Sequence, residues 1–293
     1  MLKGRLGLET ARVPHVDRHG LLWLGRGKLT VQNGNLVFST AGTDALARGV
    51  YDLPFQTISN ILLGPGCLVS HDALRLLARH QTGLLAVGTN GVRVYATSMP
   101  PGPDHSRLAR EHARVWADPE ARIQITRRMY AMRLGEYLPH RDLNALRGVE
   151  GHRMKQVYKN LAEQFGVKWS GRSFDRNNPE NDNDINTAIN HAATAMYASA
   201  RIAVALTGTI PQLGFIHEAS GHAFALDIAD LFRANTTLPI AFGAVKQFQR
   251  REGDKLERIT RTRAGRTLQQ KKVIAKMIDA IKELIEESES PEG

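Results

Sequence analysis

The spacing of apolar residues changes period once along the chain. From residue 21 to about 96 they come in short, mostly alternating runs: LLWL, KLTVQ, NLVFS, VYDLP, TISNILL, GLLAVGT and VRVYA. A period of two marks half-buried strands. Asn33-Gly34, between KLTVQ and NLVFS, predicts a type I′ hairpin, because both central positions of that turn need positive φ. Asn90-Gly91 predicts a second turn. One stretch here has a different period. SHDALRLLARH (70–80) places Ala73, Leu74, Leu77 and Ala78 on one side of a short helix, with Ser70 as its N-cap.

TSMPPGP (97–103) has prolines and a glycine that exclude both helix and sheet interior, and it reads as a linker. Beyond it the period is helical almost throughout. Helices are expected over about 104–116, 119–135, 142–165, 184–206 and 222–233, with Asp184 capping the fourth. A polar loop, SGRSFDRNNPENDND, precedes that fourth helix. The run 188–208 is the most apolar long segment, yet it contains Asn190, His191 and Arg201. It reads as a buried core helix rather than a membrane span. Val273, Ile274, Met277, Ile278, Ile281, Leu284 and Ile285 make an amphipathic helix of 268–287, and SESPEG after it reads as disordered. The pattern predicts an α+β chain: a small β-rich N-terminal domain over 1–96, a linker over 97–103, and a larger all-helical C-terminal domain over 104–293.

Charge adds a partner to this picture. Lys and Arg exceed Asp and Glu by 39 to 29, a net charge of +10. Lys246 to Lys272 holds ten basic residues against three acids, most of that excess. Phosphates are the natural counterpart, and such binding weakens steeply with salt. A solvated basic helix face is the plainer reading of the same stretch. The single cysteine, Cys67, excludes an internal disulfide and a cysteine-rich zinc site, and it suits a reducing cytoplasm. The N-terminus lacks the apolar core of a signal peptide, so a soluble cytoplasmic protein without membrane association is expected.

Candidate chemistry centres on GFIHEASGHAFALDIADLFR (214–233), a glycine-punctuated loop carrying His217 followed by a helix. Asp227 and Asp230 lie three positions apart, on one face of that helix. On so apolar a helix two acids either reach solvent at a cleft or need a partner, such as a metal ion. Glu150 lies between Gly148 and Gly151 in an otherwise strong helical pattern. Each glycine costs about 1 kcal/mol relative to alanine. Close helix packing or close approach of a nucleic-acid backbone would offset that cost. Glu150, His217 and Asp230 offer two carboxylates and an imidazole, a set suited to Mg²⁺ or Mn²⁺, with Asp227 a possible further ligand or an acid behind one. Zinc usually takes more His or Cys. Arg147 and Arg153, beside Glu150, and Lys246, Arg250, Arg251 and Arg258 of the basic segment are candidates for nucleic-acid contacts.

Three segments, RGVEG (147–151), GFIHEASG (214–221) and LDIADLFR (226–233), resemble the signature segments of the CRISPR adaptation integrase family in order and spacing. LLGPGCLVSHDALRLLA, GVRVYA and GVKWSGRSFD are similar to its type I-E branch, and the likeness runs from about residue 20 to 245. The resemblance implies a β-rich domain leading into a helical catalytic one, with Glu150, His217 and Asp230 as metal ligands. It makes Asp227 an essential neighbouring acid, Arg93 a basic catalytic-centre residue, and Tyr197 an aromatic close to the site. One departure stands out. Some relatives carry a lysine in the loop after the histidine, whereas this chain reads EASGH, leaving His222 as the basic group there.

The activity so implied is metal-dependent DNA cleavage and strand transfer, in which a 3′-hydroxyl of incoming spacer DNA attacks a repeat-boundary phosphodiester. The partners implied are double-stranded DNA, a second copy of the chain through the N-terminal domain, and a dimer of a small ferredoxin-like adaptation protein bridging two such homodimers. Two other readings fit the same residues: a catalytically silent DNA-binding scaffold of this fold, and a metal-dependent nuclease acting on RNA.

Overall fold

A computed structural model describes residues 20–43, 46–97, 106–139, 142–171, 183–250 and 254–286. The chain divides into two compact units, residues 1–107 and 108–293. Of the expected linker, only Thr97 lies within the described residues, and it closes a strand. Most of the polar loop before residue 183, residues 287–293 and Arg251 lie outside them.

The first unit contains two four-stranded sheets among the described residues. One runs β1 (Gly20–Leu24), β5 (Ile58–Leu63), β7 (Gly83–Val87), β8 (Val94–Thr97) in spatial order, parallel except for the last pair. The other runs β4 (Gly49–Leu53), β3 (Asn35–Thr40), β2 (Gly27–Gln32), β6 (Cys67–Val69). β2 and β3 pair from Gly27↔Thr40 to Gln32↔Asn35 around Asn33 and Gly34, whose φ values of 49° and 81° are those the expected type I′ turn requires. β5 is buried at every position, as a parallel strand between two neighbours should be. Helix α1 (His71–Arg79) begins where Ser70 accepts a hydrogen bond from the Ala73 N–H, and it seats Ala73 and Leu77 in the core with Leu29, Phe38 and Ile61.

The second unit is helical: α2 (Ser106–Ala117), α3 (Pro119–Leu134), α4 (Leu143–Phe165), α5 (Asp184–Thr207), α6 (Ala223–Leu231), α7 (Leu238–Phe248), α8 (Leu256–Gln270) and α9 (Val273–Glu286). α5 is the expected core helix, packing against α6, α7, α8 and α9. Its many alanines let four neighbours approach one axis. Asn190, His191 and Arg201 occupy half-buried positions. No helix among the described residues is long and apolar enough to cross a membrane.

Three details differ from the sequence reading. The cap of α5 is Asn183, whose side chain accepts from the Asn186 N–H, one residue before the expected Asp184. The stripe of 268–287 is not one helix, because Lys272 adopts φ 51° and separates α8 from α9, leaving Leu268 in α8. α7 was not expected. Its Thr-Thr-Leu-Pro start resembles a break, but a proline in the first turn forfeits no intrahelical hydrogen bond. A π turn (Arg233–Thr237) joins α6 to α7.

Candidate active site

The loop from Gly208 to His222 folds back on α6, and Asp227 fixes it there. The Asp227 side chain is wholly buried. Its Oδ2 accepts from the N–H groups of Phe215 at 2.6 Å and Ile216 at 3.0 Å. Its Oδ1 accepts from the His217 N–H at 3.0 Å and lies 2.6 Å from His217 Nδ1. Three consecutive amides converging on one carboxylate form an anion cradle whose anion belongs to the chain itself. Nδ1–H of His217 donates to Asp227, so in the neutral ring Nε2 carries the lone pair, the arrangement by which a carboxylate orients a metal-binding histidine. The hydrogen bond to Asp227 raises the His217 pKa above its ordinary value, against the effect of burial. Asp230 raises it further and Arg133 lowers it, which places both charges within electrostatic reach of the ring.

The carbonyls of the same loop are held from the other side. His112, wholly buried on α2, donates Nε2–H to Leu213 O at 2.8 Å and accepts the Ile210 N–H on Nδ1 at 3.2 Å. Trp116, one turn on, donates Nε1–H to Gly214 O at 2.9 Å. Arg147 Nη2 donates to Ile216 O at 2.8 Å. Gly214 is obligatory, since a Cβ there would lie 2.1 Å from the His217 carbonyl oxygen. His112 and Trp116 escaped the sequence reading. Their i, i+4 spacing puts them on one helix face, but their partners lie about a hundred residues away.

Burial holds His112 neutral, with a pKa lowered from 6.5 to about 4. The unfolded chain therefore takes up a proton before the native one does. The contribution to stability is complete above pH 6.5 and is lost as pH falls from there to about 4, by about 3 kcal/mol in all. Urea unfolding across that window should show this slope, and His112→Gln, though less stable at pH 7, should show a flatter one. An unchanged slope in the variant would contradict the assignment.

Glu150, on α4, and Asp230, on α6, meet through an arginine that the sequence reading missed. Arg133, near the end of α3, places Nη2 2.7 Å from Glu150 Oε1 and Nη1 3.5 Å from Asp230 Oδ2. Its side chain is 7% exposed, against 20% for Glu150 and 25% for Asp230. Arg233 reaches Asp230 Oδ1 at 3.3 Å and donates to the Tyr158 hydroxyl at 3.2 Å. Tyr130, on α3 beneath Glu150, has its pKa raised by burial and then by the Glu150 charge. It packs with Leu138 and Leu146, against which Ile216 of the histidine loop also rests. Gly148 and Gly151 are not explained by helix packing: apart from the helix's own backbone, a Cβ on either would meet nothing within 4 Å.

Among the described residues no three of His, Cys, Asp and Glu stand close enough to enclose an ion. The donor set nevertheless fits a hard divalent cation. Two carboxylates already share one positive group, and an imidazole with its far nitrogen pinned lies within the field of one of them, Asp230. Asp227 differs from its neighbour three residues on. Both its oxygens are committed to the loop, whereas Asp230 faces the arginines and solvent.

The other expected site residues spread over several surfaces. Arg153 is exposed on α4 and pairs with Glu136. Lys246, Arg250 and Arg258 line two adjoining grooves on α7 and α8, of about 230 and 500 Å³, which share Gln247 and Arg263. Arg263, another of the ten basic residues of the segment Lys246 to Lys272, lies against Gly243, where a Cβ would come within 2.5 Å of its guanidinium. Tyr197 and His222 are in edge contact, ring centroids 6.3 Å apart. Arg93 belongs to the first unit, exposed just before β8.

The family model for CRISPR associated protein Cas1 matches residues 21–139 and 129–283. The CRISPR-associated endonuclease Cas1 of Escherichia coli K12 is 33% identical over 274 residues, covering 93% of this chain and 87% of that protein. Its counterpart in Geobacter sulfurreducens is 32% identical over 274 residues, covering 93% of this chain and 86% of its own length. The solved TtCas1–DNA complex superposes with a TM-score of 0.82 at 29% identity, covering 92% of this chain and 97% of the other. A casposase bound to its integration product shares the fold, with a TM-score of 0.67 at 16% identity over 93% of this chain and 97% of that one.

Proposed function

The chain belongs to the CRISPR-associated Cas1 family, and from that premise we propose that it is the DNA endonuclease and integrase that inserts spacers into a CRISPR array. The observation that carries the reading is His217, pinned through Nδ1 to buried Asp227 and in electrostatic reach of Asp230, which Arg133 joins to Glu150. Relatives named as endonucleases and the likeness to a Cas1–DNA complex support nuclease chemistry on DNA.

Glu150, His217 Nε2 and Asp230 are the groups that would hold Mg²⁺ or Mn²⁺. Bound there, the ion would supply Lewis-acid stabilisation of charge developing on the phosphoryl oxygens. The chain's residues do the rest. Asp227 sets the tautomer and aim of His217, and the buried loop keeps that aim rigid. Gly148 and Gly151 leave the surface beside Glu150 bare, so a phosphodiester backbone can approach closely. Exposed Arg250 and Arg258, with half-buried Lys246 and Arg263, offer phosphate contacts that align the DNA without reading its sequence. Arg147, already holding Ile216 O, and Arg153, paired with Glu136, offer further phosphate contacts, as would Arg251, and Arg93 would serve as a basic residue of the catalytic centre. The 3′-hydroxyl oxygen of incoming DNA forms a bond to phosphorus as the bond to the array strand's 3′-oxygen breaks, and the hydroxyl proton leaves to solvent. Water in place of the hydroxyl gives cleavage.

Two integrations, one at each end of a repeat, require two sites at fixed separation. The reading therefore includes a homodimer formed through the N-terminal unit, and a bridging dimer of a small ferredoxin-like adaptation protein in the cytoplasm, as in a type I-E system. The test supplies Mn²⁺, a short duplex with free 3′-hydroxyls and a supercoiled plasmid bearing a CRISPR array. Covalent joining of duplex to plasmid is expected. DNA binding without joining would favour a scaffold, and hydrolysis confined to RNA would favour the other nuclease.

A further inference from the structure

Arg133 has no part in the reaction just described, yet its charge is closely confined beside the site. Its side chain is more than nine-tenths buried, one guanidinium nitrogen lies 2.7 Å from Glu150, and the other lies 3.5 Å from Asp230. Its Nε is buried and makes no hydrogen bond among the described residues. Arg233 braces Asp230 from the opposite oxygen. Two carboxylates on different helices are thus drawn together by a guanidinium whose own donors are incompletely satisfied.

We propose that Arg133 is a displaceable counter-cation that holds Glu150 and Asp230 together until a divalent ion takes its place, and then donates to a phosphate oxygen of the bound DNA. The inference rests on the metal-site reading above. A single positive charge between two carboxylates opposes their repulsion and keeps them near each other, so the ligands are gathered before an ion arrives. The same charge repels an incoming dication at contact distance. The arginine therefore lowers metal affinity while preserving the geometry that metal binding needs. A guanidinium fork released from two carboxylates matches a phosphodiester's oxygens in shape and charge. DNA and metal would then favour each other's binding, because each relieves a competition that the other meets.

Titration calorimetry with Mn²⁺ on the full chain tests this without reference to turnover. Arg133→Met should bind Mn²⁺ about tenfold more tightly than wild type, with a lower Tm before Mn²⁺ is added and a larger Mn²⁺-induced rise in Tm. Arg133→Lys keeps the charge and should stay within about threefold of wild type. A saturating duplex should tighten Mn²⁺ binding more in wild type than in Arg133→Met. Circular dichroism establishes that each variant is folded. A folded Arg133→Met that binds Mn²⁺ no more tightly than wild type overturns the proposal, and equal gains from DNA overturn the transfer to phosphate. Glu150→Gln and Asp230→Asn separate the two levels. If both bind Mn²⁺ as wild type does, the metal-site reading has failed; if both lose it while Arg133→Met is unchanged, only the role of Arg133 has failed.

Discussion

Alanine at Glu150, His217 or Asp230 should each reduce strand transfer by about a thousandfold, the equivalent of about 4 kcal/mol of transition-state stabilisation. The three losses should be similar, because each removes a donor from one unit rather than an independent increment. A Glu150→Ala/Asp230→Ala double variant should accordingly be little worse than either single one. DNA binding, measured at fixed salt by fluorescence anisotropy, should change by less than about threefold, since on the proposed reading the phosphate contacts come from the basic residues on α7 and α8. The two readouts together exclude misfolding as the cause. Glu150 and Asp230 are 20% and 25% exposed, so truncating either exposes space without opening a sealed core. A His217→Ala protein keeping more than a tenth of wild-type joining would remove the imidazole from the site.

How much of this could be read in the sequence depends on the range of the interaction that decides each feature. Asn33-Gly34 gave its hairpin away because the turn is decided by two adjacent residues. Helix α5 was legible from its unbroken apolar run, and the cap error at Asp184 was one residue among neighbouring Asn and Asp that cap equally well. Local pattern failed where distant packing decides. Lys272 takes positive φ to turn α9 back against α3 and α5, for which no glycine serves as a signal. Spacing alone does not tell the acids of α6 apart; the resemblance makes Asp230 the ligand and Asp227 its neighbour, and the fold of the loop above them supplies the physical reason, burying Asp227 as an anchor and leaving Asp230 facing solvent. His112, Trp116 and Arg133 were invisible for the same reason, each acting on backbone or side chains about a hundred residues further on.

Asp227 should prove the least replaceable side chain of the site for stability, and its isostere should show why. Asp227→Ala leaves the N–H groups of Phe215, Ile216 and His217 and the His217 ring without their acceptor, in a place water does not reach. An uncompensated buried network of this kind costs about 3–5 kcal/mol. Asn preserves volume but not chemistry. Its amide can present one oxygen to two of the donors, while its NH₂ group must face the others, donor against donor. Asp227→Asn should therefore lose about 2–4 kcal/mol in urea unfolding, whereas Asp230→Ala should lose less than about 1 kcal/mol because its ion pairs are partly solvated. In the folded fraction of Asp227→Asn, Mn²⁺ affinity should fall about 10–100-fold, since the imidazole is no longer held in the tautomer that presents Nε2. An Asn variant within 1 kcal/mol of wild type would mean that the loop is held by its carbonyls alone, through His112, Trp116 and Arg147, and that the amide cradle is dispensable. The opposite outcome ties the fold of the loop and the aim of His217 to a single carboxylate, so that selection for one is selection for the other.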